Sequence, residues 1–163
     1  MGELLVLVVE DEAEVRAAIV RDLEPLLGSV RVDEAEDAED AVAALDEAVE
    51  AGDRVGLILA DHRLPGRSGV DLLVSLHADP ERRPIRKVLI TGQAGHADTI
   101  RAINEADLDH YLAKPWQPDD LLATAVTQLT DYVIEAGLDP LAYVDVLDAP
   151  RLLDAYGRRG RID

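Results

Sequence analysis

The chain has 163 residues, close to half of them apolar, and a formal net charge of −18. That is enough for one ordinary domain with a real core and a small appendage. Without cysteine it holds no disulfide, thiolate metal site or thiol nucleophile, and its acid excess argues against a nucleic-acid surface, whose affinity comes from Lys and Arg. Phenylalanine is absent, so the core must be built from Leu, Val, Ile and Ala.

The first apolar run, Leu4 to Val9, is continuous, as a strand buried on both faces should be. Glu10, Asp11 and Glu12 follow at once, and the run is too short for a membrane span or a signal core. The expectation is a cytoplasmic protein without membrane contact. A helix is predicted from about Glu14, with Val15, Ile19, Leu23 and Leu26–Leu27 on one face and Gly28 as its stop. Val30–Ala35 reads as a second, more polar strand. A helix over about Glu39 to Glu50 would bury Val42, Leu45 and Val49 as one stripe. Val55–Ala60 is another buried strand, ending at Asp61. A loop with Pro65, Gly66 and Gly69 precedes a helix over Val70–Leu76.

Lys87–Thr91 is the fourth strand. A helix near Asp98–Ala106 follows, then a short strand Tyr111–Ala113 ending at Lys114-Pro115. The last long helix starts near Pro118 and presents Leu122, Val126, Leu129 and Val133. From Gly137 the character changes: five acids and four arginines leave this tail at −1 and the preceding body at −17. A turn at Leu138–Leu141 leads to a short helix over Arg151–Tyr156, capped by Asp148 and stopped by Gly157. Residues 137–163 are too few for an independent domain and should pack on the body or on a partner.

Strands alternating with helices imply an α/β fold, a doubly wound parallel sheet with helices on both faces. Ligands of such sheets bind beyond the carboxyl ends of the strands. That rule gathers Glu10 and Asp11, Asp61, Thr91 and Lys114 at one end. Three converging carboxylates repel one another unless a cation lies among them, and hard oxygen ligands suit Mg²⁺. Asp61 could then act as an oxygen nucleophile toward phosphorus, with Lys114 neutralising charge on the phosphoryl oxygens.

The run Val8-Val9-Glu10-Asp11-Glu12, the spacing Asp61-x-x-x-Pro65-x-x-x-Gly69, the pair Thr91-Gly92 and Tyr111-x-x-Lys114-Pro115 together resemble the receiver domains of bacterial response regulators, over roughly residues 3–135. The resemblance implies a five-stranded flavodoxin-like sheet of order 2-1-3-4-5, with residues 1–136 as the receiver and 137–163 as a C-terminal extension. It implies Asp61 as phosphoacceptor, with Glu10, Asp11, Asp61 and the carbonyl of Arg63 around Mg²⁺. Lys114 would pair with the phosphoryl group, and Thr91 and Tyr111 would form a switch pair. Arg63 and Gln93 would tune the lifetime of the acyl phosphate. A cis Lys114-Pro115 bond also belongs to the pattern. The phosphodonor would be a sensor histidine kinase or phosphotransfer protein, and the chain would be a phosphorylation-dependent signalling switch of a two-component phosphorelay, not an enzyme in its own right. The tail lacks the length and charge of a DNA-binding unit, so output is expected through a downstream protein partner. A homodimer would use the fourth helix, fifth strand and fifth helix, or the extension. Alternatives are the receiver portion of a larger regulator and a Mg²⁺-dependent phosphohydrolase with an aspartyl nucleophile. Such hydrolases place a second acid two residues after the nucleophile, where this chain has Arg63.

Overall fold

The computed structural model describes residues 2–92 and 96–160. Its five strands are β1 (Leu4–Val9), β2 (Val30–Ala35), β3 (Arg54–Asp61), β4 (Arg86–Thr91) and β5 (His110–Ala113). They form one sheet in the order β2-β1-β3-β4-β5, and every neighbouring pair is parallel. The helices of the body are α1 (Ala13–Asp22), α2 (Ala38–Ala51), α3 (Gly69–Ala78), α4 (His96–Ala106) and α5 (Pro118–Glu135); α6 (Ala149–Gly160) lies in the extension. The expected fold class and strand order are those observed. Lys114-Pro115 is cis, as the pattern implied.

Two apolar layers sandwich the sheet. Leu5, Leu7, Val9, Ile58 and Leu89 face α2, α3 and α4. Leu4, Val6, Val8, Leu57 and Ile90 face α1, α5 and the extension. Central strands are therefore apolar at successive positions because both faces are covered. Gly56 is the residue left over where the β1–β3 register shifts between Leu5 and Val6. A Cβ there would lie 2.8 Å from Leu4 Cδ1 and 3.1 Å from atoms of Leu129 and Tyr132, so its absence lets α5 sit close on the sheet.

Several local expectations need correction. α1 ends at Asp22 and not at Gly28, because Pro25 sits in a separate 3₁₀ turn, Glu24–Leu26. The buried face of α2 consists of Ala38, Ala41, Leu45 and Ala48. Val49 instead projects into solvent at 71% exposure. α6 does not stop at Gly157 but runs to Gly160. The extension folds back onto the body: Leu147 and Leu152 are buried in the α1–α5 layer. Asp148 Oδ1 accepts from Arg151 N at 3.3 Å, as its capping role required, and the Asp148 N–H donates to Thr130 Oγ1 of α5 at 3.2 Å. Arg151 also reaches Asp131 of α5 at 2.5 Å.

The start of β4 carries an unusual group. Lys87 is buried, with its ammonium donating to the carbonyls of Arg83 and Ile85 at 3.0 and 2.8 Å. Burial lowers its pKa, partly opposed by the nearby Asp109. Asp109 also accepts from the Lys87 backbone N–H at 2.8 Å and pairs with Arg86 at 2.9 Å.

Candidate functional site

The carboxyl end of the sheet brings the expected residues together. Glu10 and Asp11 leave β1, Asp61 ends β3, Thr91 ends β4, and Lys114 follows β5. The backbone holds these strand ends in place: Glu10 N–H donates to the Ala35 carbonyl at 3.0 Å, His62 N–H to Ile90 at 2.9 Å, and Lys114 N–H to Thr91 at 2.8 Å. Glu10 and Asp61 are buried while Asp11 is exposed, and carboxylate oxygens of all three lie within 4.8 Å of one another. Lys114 Nζ reaches Asp61 Oδ1 at 3.0 Å and Glu10 Oε2 at 3.4 Å.

The electrostatics follow from that crowding. Burial, and then the neighbouring Asp61 charge, push the Glu10 carboxyl up from 4.5 to about 7, with Lys114 pulling the other way. Burial by itself would lower the Lys114 pKa. Its hydrogen bond and charge contact with Asp61, reinforced by Glu10, outweigh burial and hold it above the ordinary lysine value. The pocket thus has three oxygen donors, an ammonium and one edge open to water through Asp11. This donor set fits a hard divalent cation such as Mg²⁺, which prefers oxygen ligands and keeps several waters.

Gly69 explains part of the motif in steric terms. Its N–H donates to the His62 carbonyl at 2.9 Å, and a Cβ at this position would lie 2.0 Å from the Asp61 carbonyl oxygen. The chain must pass directly over the backbone of Asp61 before α3 begins, and only glycine allows it. Ser68 then caps α3 by accepting from Asp71 N–H at 3.0 Å.

The remaining candidates lie at the rim. Thr91 is buried, while Tyr111 is 51% exposed on β5 beside His110. Arg63 is an exposed loop residue two positions past Asp61. Gln93 lies outside the described residues. Two further groups touch this end of the sheet without a sequence signal. Arg16 of α1 donates to the Glu10 carbonyl at 2.8 Å and pairs with Glu34 at 3.1 Å, fixing the chain where it leaves β1. His62 Nε2 lies 3.2 Å from Asp98 Oδ2, which joins the residue after Asp61 to the first turn of α4. His62 directly follows Asp61 in the chain, and its partner is set by tertiary structure. Trp116 donates to Asp22 at 2.7 Å, tying the entry of α5 to the end of α1.

The comparisons agree with this geometry. A family model described as "Response regulator receiver domain" matches residues 6–126. The hydrogenase transcriptional regulatory protein HoxA of Cupriavidus necator is 35% identical over 120 residues, which are 73% of this chain and 23% of HoxA. The phosphate regulon transcriptional regulatory protein PhoB of Escherichia coli is 36% identical over 118 residues, 72% of this chain and 48% of PhoB. The chain therefore spans less than half the length of these curated relatives. Among solved structures, the signal receiver domain of an HD domain-containing protein from Pseudomonas fluorescens Pf-5 superposes with a TM-score of 0.70 at 26% identity, covering 80% of this chain and 97% of that one.

Proposed function

The chain belongs to the response regulator receiver domain family, and from that we propose that Asp61 accepts a phosphoryl group from a histidine kinase or phosphotransfer protein, and that the signal then passes by protein contact. One observation carries the reading. A buried aspartate at a strand end has a lysine ammonium at 3.0 Å and two further carboxylates close enough to share a cation. In the transfer, an Asp61 carboxylate oxygen forms a bond to phosphorus while the bond from phosphorus to the donor nitrogen breaks. The electron pair leaves with the imidazole. Lys114 is placed to neutralise charge on the transferred group. Glu10, Asp11, Asp61 and the carbonyl of Arg63 would hold Mg²⁺, which would draw electron density from the phosphoryl oxygens.

Thr91 and Tyr111 are the proposed reporters. Thr91 is buried at the pocket, and the outward ring of Tyr111 is free to move inward once the hydroxyl turns toward a phosphoryl oxygen. Arg63 and Gln93 are the proposed regulators of phosphoryl lifetime. The proposed output face is α4, β5 and α5, where Ile100, Ile103 and Tyr111 are exposed. Among the described residues no helix is long and apolar enough to cross a membrane.

The test is phosphorylation by acetyl phosphate with Mg²⁺, followed by intact mass. Wild type should gain one phosphoryl group, and Asp61→Asn none. Equal modification of both proteins, or of neither, would contradict the proposal.

A further inference from the structure

Glu10 is wholly buried, so each of its polar groups needs a partner. It lies one residue past the last paired position of β1, where Val9 faces Ala35 of β2 and Ala60 of β3. Its N–H still reaches the Ala35 carbonyl at 3.0 Å, and its carboxylate faces Lys114 at 3.4 Å. Its own carbonyl has left the ladder. Among the described residues no backbone N–H outside the regular elements reaches that oxygen. The donor is Arg16 Nη1, at 2.8 Å.

That donor comes from the first turn of α1. The Cα–Cβ bond of a helical residue tilts toward the helix N-terminus, so the Arg16 side chain runs back toward the end of β1. Its guanidinium is a planar fork that can serve two acceptors at once. The second acceptor is Glu34 of β2, whose Oε1 lies 3.1 Å from Arg16 Nε. The Arg16 side chain is only 15% exposed. Glu34 also balances the guanidinium charge, which would otherwise repel a cation held by Glu10 and Asp11.

The consequence falls on Asp11. The Glu10 carbonyl and the Asp11 N–H belong to one rigid peptide plane. Holding the carbonyl therefore sets the direction in which the chain enters Asp11, the exposed member of the three carboxylates. We propose that Arg16 is a positioning residue of the cation site: by fixing the peptide between Glu10 and Asp11, it holds the Asp11 carboxylate in place for Mg²⁺. This inference rests on the reading of Glu10, Asp11 and Asp61 as a Mg²⁺ site. Charge and position predict opposite signs here. Removing a positive charge beside the site would by itself tighten Mg²⁺ binding, whereas freeing the peptide weakens it.

The test is calorimetric titration of the full chain with Mg²⁺ alone. Arg16→Met keeps the apolar stem and removes the donors; it should bind Mg²⁺ about tenfold more weakly than wild type. Arg16→Lys keeps the charge without the fork and should fall between the two. Arg31→Met is the control. Arg31 clamps Glu3, Asp33 and Asp53 at the other end of the strands, so its loss loosens the same sheet edge without touching Glu10 and should leave Mg²⁺ affinity as in wild type. With acetyl phosphate as donor, Arg16→Met should need about tenfold more Mg²⁺ for half its maximal rate, yet reach the wild-type rate at saturation. An Arg16→Met affinity equal to or tighter than wild type overturns the proposal, and so does equal weakening in Arg16→Met and Arg31→Met. If circular dichroism shows Arg16→Met unfolded, Arg16→Lys decides: wild-type affinity there overturns the proposal. Failure of wild type to bind Mg²⁺ removes the cation site and this inference together, whereas binding indifferent to Arg16 removes the inference alone.

Discussion

In the metal-free protein, Glu10 should make folding less favourable as pH rises. Its carboxyl titrates near 4.5 in the unfolded chain and near 7 in the folded one. The folded state therefore holds the proton more tightly. The stabilising contribution is complete below about pH 4.5 and is lost as pH climbs through 7. At 1.36 kcal/mol per unit the loss is at most about 3 kcal/mol. For a domain of this size that corresponds to roughly 6–12 °C in melting temperature. Thermal melts of wild type and Glu10→Gln in chelator at pH 5 and pH 8 isolate this group, since other titrating carboxyls are common to both. Wild type should lose stability relative to the variant on going to pH 8. Mg²⁺ should restore wild type more at pH 8 than at pH 5, where it competes with the proton. A difference between the two proteins that stays flat from pH 5 to pH 8 would refute the claim that Glu10 is held protonated by burial and by Asp61.

Gly69→Ala should cost about 3 kcal/mol or more, because the new methyl overlaps the Asp61 backbone and no flexible side chain can yield; denaturant melts measure the loss, and the surviving folded fraction should phosphorylate slowly. Leu152→Ala should cost about 2–4 kcal/mol as a cavity in a closed layer, whereas an extension that only rests on the surface would give a change within about 0.5 kcal/mol. Arg63→Ala should change the autodephosphorylation rate, followed by loss of phosphoprotein after donor removal; identical decay in the two proteins counts against a role for this position. Asp98→Ala frees His62 from α4 and should raise amide exchange in the first turn of that helix without abolishing phosphorylation.

The strand ends were readable because β1, β3 and β4 each approach the site through an unbroken apolar stretch, at residues 4–9, 55–60 and 88–90, and stop at a polar residue of definite type, as β5 does at Lys114. One stop alone says little; four that the topology forces to a single edge specify a pocket. The α2 face was misread for a reason intrinsic to its composition. Alanines carry that face, and alanine is compatible with either side of a helix, so Val42 and Val49 drew the stripe about one residue out of place. In α5 the buried set includes Gln128, Thr130 and Tyr132, whose polarity conceals their burial; Thr130 donates back to the Val126 carbonyl at 2.7 Å and also receives the extension. Arg16 and Asp98 could not be found from the sequence at all. Their partners, Glu10 and His62, are 6 and 36 residues away, and only the assembled sheet brings them into reach.

The two lysines of the chain, Lys87 and Lys114, share a fate that bears on its covalent chemistry. Every other basic side chain apart from histidine is arginine, which amine acylation does not modify. Lys87 is sealed beneath its own loop by two carbonyls. Lysine-directed acylation of the native protein is thereby funnelled to Lys114, whose side chain retains 23% exposure. Its acylation rate is a built-in readout of the pocket: any occupant that engages the ammonium shields it, and loss of Asp61 unmasks it. The same scarcity gives the folded chain a single lysine address for a probe, placed where the phosphoryl group would arrive.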